Sequence, residues 1–183
     1  KSGRKPRCAS IAQEASSDRL APVPIRSSLT AGAAPEPFRD CLAALFPAAP
    51  VVTPETVEQA PADKGAYALL LHLDGIVDFV RPGLTHRFPP GWYVYAGSAF
   101  GPGGIRARLR RHFRRDKKRH WHIDDLTDSA TRLHAVALVG GTECAIVARL
   151  SGPDRLAPAL AGFGSSDCRI CVTHLLGWTG GAE

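Results

Sequence analysis

The sequence predicts a small α/β domain of the α+β kind, with a mostly antiparallel central sheet flanked by helices. Four stretches carry that prediction. Tyr67, Leu69, Leu71 and Leu73 alternate with Ala68, Leu70 and His72, so nearly every position is apolar, as in a strand covered on both faces. Trp92 to Ala96 reads as a second such strand, and after the turn Gly101-Pro102-Gly103-Gly104 the apolar residues Ile105, Leu109 and Phe113 recur at helical spacing. Thr142, followed by an apolar-rich run to Leu150, reads as a helix with its own N-cap.

In chain order, residues 1–62 hold eight prolines before Pro61, many Ala and Ser, and only short apolar clusters. Such a segment buries too little apolar surface to offset its ordering entropy, so it is predicted to be a flexible extension, with one short helix over 38–46. The domain proper is expected over 63–179. Asp74-Gly75 predicts a hairpin turn, with 76–80 returning beside the first strand. Pro82-Gly83 and Pro89-Pro90-Gly91 bracket a loop or short edge strand over 85–88. Tyr67 and Tyr95 then fall in core strands, and Gly97, Ser98 and Ala99 leave room for another backbone or a phosphate to come close. On the helix from Ile105, Arg108 and His112 are neighbours four apart, while Arg106, Arg110 and Arg111 face mainly away from the apolar seam. A second short helix is predicted from His120, a strand over 133–139, and a Gly/Ser turn from Gly162 that leads into a strand over 172–176.

Charge is concentrated rather than diffuse. The chain of 183 residues has a formal charge of +6, with a pI near 9.4. Arg106, Arg108, Arg110, Arg111, Arg114, Arg115, Lys117, Lys118 and Arg119 stand against Asp116 alone between Ile105 and His122. Cations so crowded repel one another unless an anion is present, which predicts contact with nucleic acid through Arg106, Arg110, Arg111, Arg114, Arg115, Lys117, Lys118, His120 and His122. Five cysteines, an odd number, predict a reducing, cytoplasmic compartment without structural disulfides. No apolar run approaches the roughly 20 residues that span a bilayer.

Gly65-Ala66-Tyr67, then Tyr95-Ala96-Gly97, Arg108, His112 and Glu143 resemble in order and spacing the GIY-YIG nuclease superfamily, with Ala for Ile in both tripeptides. The run from Tyr93 to Ala99, the segment His120-Trp121-His122-Ile123-Asp124 and the run from Gly162 to Cys168 resemble a branch of it known mainly as a domain of unknown function. That branch is sometimes fused to endonuclease III-type DNA repair enzymes. The resemblance spans about Gly65 to Trp178. It implies a GIY-YIG-like fold and a metal-dependent endonuclease acting on DNA, including structured or damaged DNA in repair. It further implies that Tyr67 and Tyr95 orient or deprotonate the attacking water, Arg108 stabilises the phosphoryl charge, and Glu143 holds magnesium or manganese. His112 would hold the water or a phosphate. The chemistry suits these residue types: a phenol ionises more easily in a cationic site, guanidinium grips phosphate as a fork, and one carboxylate with waters suits magnesium.

Two features stand apart from that pattern. The superfamily supplies an Asn from its C-terminal segment, and this chain contains no Asn; Asp167, Thr173 or His174 would have to stand in. Loss of that residue also fits a different reading, a non-catalytic nucleic-acid-binding module on the same scaffold. Cys168, Cys171 and His174 have zinc-ligand chemistry that His120 or His122 would complete, with redox chemistry and ordinary packing as the alternatives.

Overall fold

A computed structural model of the chain describes residues 42, 45–151 and 156–178. The predicted α+β architecture is present as an antiparallel six-stranded sheet packed between helices. The strands are β1 (Val51–Val52), β2 (Gly65–Leu73), β3 (Val77–Arg81), β4 (Leu84–Phe88), β5 (Gly91–Ser98), β6 (Arg132–Val139), β7 (Ala157–Pro158) and β8 (Leu175–Gly177). The helices are α1 (Gly104–Phe113), α2 (Ile123–Ser129) and α3 (Glu143–Leu150). The sheet order is β1-β6-β2-β5-β8-β7, with β3 and β4 forming a separate two-stranded sheet.

β2 lies inside the sheet and is covered on both faces, which is why its apolar residues hardly alternate with polar ones. Tyr67, Leu69, Leu71 and Leu73 pack with Ile105 and Leu109 of α1, Ile123 and Leu126 of α2, and Phe79, Phe88 and Phe163. Ala66, Ala68 and Leu70 face the other way, against Ile146 and Leu150 of α3 with Leu42 and Phe46. The small alanines let α3 approach closely, and Thr142 caps that helix as predicted, its Oγ1 accepting the Ala145 N–H at 3.3 Å.

Three expectations change. The segment after Asp74-Gly75 does not return along β2; β3 pairs with β4, and β5 takes the place beside β2. Phe79 is buried while Asp78 and Val80 are exposed, a one-sided strand suited to covering a face rather than entering a sheet covered on both sides. Second, residues 51–62 are packed on the domain: β1 pairs with β6, Val52, Val57 and Ala60 are buried, and Pro61 and Asp63 cap α1 by accepting the N–H groups of Arg106 and Ile105. A composition averaged over sixty residues misses a short stretch whose hydrogen bonds come from distant strands. The rest of the predicted extension, and most of the helix over 38–46, lies outside the described residues. Third, the last strand begins later than expected, leaving His174 just ahead of it. No helix among the described residues is long and apolar enough to cross a membrane.

Candidate active site

Tyr67, Tyr95, Arg108, His112 and Glu143 come from four elements and line one cleft of about 330 Å³, together with Ser98, Phe100, Trp121 and Gly164. β2 and β5 supply the two phenols, α1 supplies Arg108 and His112, and the first turn of α3 supplies Glu143. A second open groove of about 340 Å³, between Gly75–Asp78 and the Arg119/Asp125 pair, lacks convergent reactive groups.

Glycines decide where three of these side chains lie. Tyr67 is the ladder partner of Gly97, and a Cβ on Gly97 would fall 2.2 Å from the Tyr67 ring carbon Cζ. The space expected for a backbone or phosphate is therefore filled by the phenol itself. Its hydroxyl reaches across to His112, 2.6 Å from Nε2. Gly164, with φ of +68°, lies beneath Tyr95, where a Cβ would be 2.7 Å from Cε2. Gly101 leaves the passage for Arg108, whose guanidinium stacks 4.5 Å from the Trp121 ring centre.

Burial dominates the acid–base character of the cleft. It pushes the Tyr67 hydroxyl well above the usual phenol range, reinforced by Tyr95 and opposed by Arg108. Tyr95 is likewise raised, by burial first and the Glu143 carboxylate second, with Arg108 again opposing. The expected easier ionisation does not occur, because one partly solvated guanidinium does not outweigh desolvation and the facing carboxylates. Burial also pushes His112 down to about 3, opposed by Asp124 and reinforced by Lys117, Arg111 and Arg108. At neutral pH both phenols are protonated and the imidazole is neutral. Among the described residues, His112 Nδ1 and Ser98 Oγ are buried with no hydrogen-bond partner. The sequence places Ser98 in a stretch open to a phosphate but gives its hydroxyl no role; the structure puts that hydroxyl in the cleft wall.

The basic run meets internal anions. Arg111 grips Asp124 with two bonds of 2.7 and 2.8 Å and stacks on Trp121 at 4.0 Å. Burial opposes the ionisation of Asp124, but Arg111 and the N–H groups of Trp121 and His120 outweigh it and hold the carboxyl at about 2. Lys117, with its side chain 3% exposed, pairs with Asp128 at 2.7 Å, and Arg119 pairs with Asp125 and Asp128. Arg110 pairs with Glu58, Arg106 donates to the Ala60 carbonyl, and Arg115 donates to the Ala130 carbonyl at 2.6 Å. These contacts correct the premise that the cations lack counter-charges: α2 and the segment before β2 deliver carboxylates from beyond the sequence window. Arg110, Arg114, Lys118, His120 and His122 remain solvent-exposed. The N-terminal amides of α1 bond to the carbonyls of Pro61 and Asp63 instead of facing a ligand.

Of the stand-ins for the absent Asn, Thr173 donates its hydroxyl to carbonyls within its own loop, and His174 joins a cysteine cluster. The charge of Asp167 bears on Tyr95. Cys144, Cys168, Cys171 and His174 place their ligand atoms within 4.8 Å of one another and could hold a metal ion. The fourth member is Cys144 rather than His120 or His122. His120 lies beside Trp121, and His122 lies beside Phe79 and Phe163. Cys144 is 24 residues from Cys168, so no local spacing pointed to it.

A family model described as a domain of unknown function, DUF123, matches residues 66–182. The chain belongs to the DUF123 family. In this DUF123 domain the match takes in the elements from β2, less its first residue, through β8, and every residue of the cleft. Comparison with curated proteins gives no match, and neither does comparison with solved structures.

Proposed function

We propose that the cleft hydrolyses phosphodiester bonds in DNA, on a scaffold of GIY-YIG nuclease type and with magnesium or manganese as cofactor. The observation that carries this reading is the convergence of two phenols, a stacked guanidinium, an imidazole and a carboxylate in one cleft. The donor set fits a hard dication: the charge of Glu143 is felt by both phenols, the cleft leaves room for retained waters, and the Ser98 hydroxyl is unpartnered. Bound at Glu143, the ion would lower the pKa of a water and neutralise charge on the phosphate.

The protein groups then orient and stabilise. With the His112 proton on Nδ1, Nε2 accepts the Tyr67 hydroxyl, which turns the phenolic lone pairs toward the cleft to accept a hydrogen bond from the attacking water. Tyr95 steadies the same water. Because burial keeps both phenols protonated, they orient the nucleophile and do not serve as bases. Arg108, held over Trp121, binds two phosphate oxygens as a fork and gains strength as negative charge builds in the transition state. Arg114 and Lys118 hold flanking phosphates, and His120 beside Trp121 suits unpaired bases, consistent with structured or damaged DNA as substrate. A cytoplasmic location accords with Cys144, Cys168 and Cys171 standing as thiols.

The absent Asn favours the second reading, a module that binds nucleic acid without cutting it. A cleavage assay with magnesium or manganese on single-stranded, duplex, flap and junction DNA, comparing wild type with Glu143→Ala, separates the two. The nuclease reading predicts product that disappears in the variant while binding persists. Salt-sensitive binding without product would leave the binding module.

A further inference from the structure

The cysteine cluster lies beside the cleft yet takes no part in the chemistry proposed there. We propose that Cys144, Cys168, Cys171 and His174 bind one zinc ion tetrahedrally, clamping the start of α3 to the loop that leads into β8. Three sulfurs and one imidazole nitrogen are a complete structural zinc set. Their mutual distances, all within 4.8 Å and with Cys144 Sγ 3.5 Å from Cys168 Sγ, are those of ligands around one small ion rather than of a sulfur–sulfur bond of about 2 Å.

Two independent observations support the site. The Cys168 sulfur accepts the backbone N–H groups of Ile170 at 3.5 Å and Cys171 at 3.3 Å, so the loop is already wrapped around it as around a thiolate. His174 is 4% exposed, and its Nε2 is buried without a hydrogen-bond partner among the described residues. The loop also needs a cross-link. Ile170 and Val172 point to solvent, and the loop is held mainly by bonds such as His174 N–H to the Phe163 carbonyl and Gly162 N–H to the Val172 carbonyl. Phe163 anchors the first turn of the loop in the core, but residues 166–172 bury no apolar side chain, and a bound ion would supply there what the core does not.

The ligands sit where such a clamp would act on the cleft. Cys144 directly follows Glu143 on α3. The His174 carbonyl accepts the Ala96 N–H at 2.9 Å, next to Tyr95. Gly164, beneath the Tyr95 ring, belongs to the same loop. Zinc would therefore hold the carboxylate and one phenol at a fixed separation while remaining outside the cleft.

The test uses the full chain, purified reduced, with metal content and thiol titration measured together. The proposal predicts about one zinc per chain, three thiols protected from titration until a chelator is added, and a lower Tm after chelation. Cobalt replacing the zinc should give thiolate-to-cobalt charge-transfer absorption and the intense visible bands of tetrahedral coordination. This spectrum needs no variant. Cys168→Ser/Cys171→Ser should lower bound zinc by about tenfold or more and remove the effect of chelator on Tm. The proposal is overturned by protein that takes up neither ion after reconstitution, by an octahedral cobalt spectrum, by zinc retained in the double variant, or by a Cys144–Cys168 disulfide in its place.

Discussion

Gly97→Ala tests the placement of the cleft's central phenol and can be read without any substrate. The backbone of Gly97 does not have a positive φ, so alanine is tolerated there conformationally and only its methyl group matters. That Cβ would lie 2.2, 2.3 and 2.4 Å from Cζ, Oη and Cε2 of Tyr67, whereas ordinary contacts begin near 3.4 Å. The ring must therefore move by roughly 1 Å, which breaks the 2.6 Å bond to His112. The imidazole, whose Nδ1 already has no partner, would then be buried with neither nitrogen bonded. Overpacking costs about 1–3 kcal/mol, and an orphaned buried polar group about 1–3 kcal/mol more. The two overlap, so a loss of about 3 kcal/mol and a fall in Tm on the order of 10 °C are expected. Urea unfolding of wild type, Gly97→Ala, Tyr67→Ala and the double variant measures the coupling directly. With the ring gone, the methyl has nothing to strike, so the glycine substitution should be neutral within about 0.5 kcal/mol, giving a coupling of about 2 kcal/mol or more. A Gly97→Ala protein as stable as wild type, with no coupling to Tyr67, would refute the placement.

Asp124→Asn removes a wholly buried charge that holds Arg111 and two backbone amides, and should cost about 3 kcal/mol in urea unfolding, the low end for a buried pair because Arg111 is partly solvated. Asp124 is depressed in the fold, so its contribution is complete above about pH 4 and is lost as pH falls through about 2; Asp124→Asn should flatten that part of the acid-unfolding curve. For His112, with its pKa lowered from 6.5 to about 3, the unfolded chain takes up the proton first, so stability should decline as pH drops through that window. The expected slope is about 1.4 kcal/mol per pH unit, and the difference in urea midpoint between wild type and His112→Gln isolates it; a pH-independent difference would contradict the buried neutral imidazole.

Local periodicity carried much of the fold because β2, α1 and α3 are specified by their own residues. The doubly apolar run at Tyr67 to Leu73 needed only to be covered on both sides, and Thr142 marks its helix start unaided. The β3–β4 hairpin was misplaced because a turn signal says that the chain reverses, not which strand it joins; the burial of Phe79 and Phe88 against Phe163 decides that. The five cleft residues were legible through the order of two tripeptides, Arg108, His112 and Glu143. Their acid–base state was not, since burial of the Tyr67 and Tyr95 hydroxyls exists only in the assembled cleft. Counting charge along the chain likewise overstated the unbalanced cations, because Glu58, Asp124, Asp125 and Asp128 arrive through tertiary contacts. The zinc-type cluster was half visible: Cys168, Cys171 and His174 are local, whereas Cys144 comes from another helix.

The central claim, that the cleft rather than the basic surface performs the chemistry, is tested most directly by single-turnover cleavage of labelled DNA with magnesium, comparing Arg108→Ala with Arg114→Ala and measuring binding across salt concentrations. The account predicts that Arg108→Ala lowers the rate at saturation by about 10² or more with affinity little changed. Arg114→Ala should instead weaken binding modestly, reduce its salt slope by about one, and reach the wild-type rate at saturation. Equal, modest effects of the two substitutions, or no cleavage by wild type on any DNA tested, would contradict it.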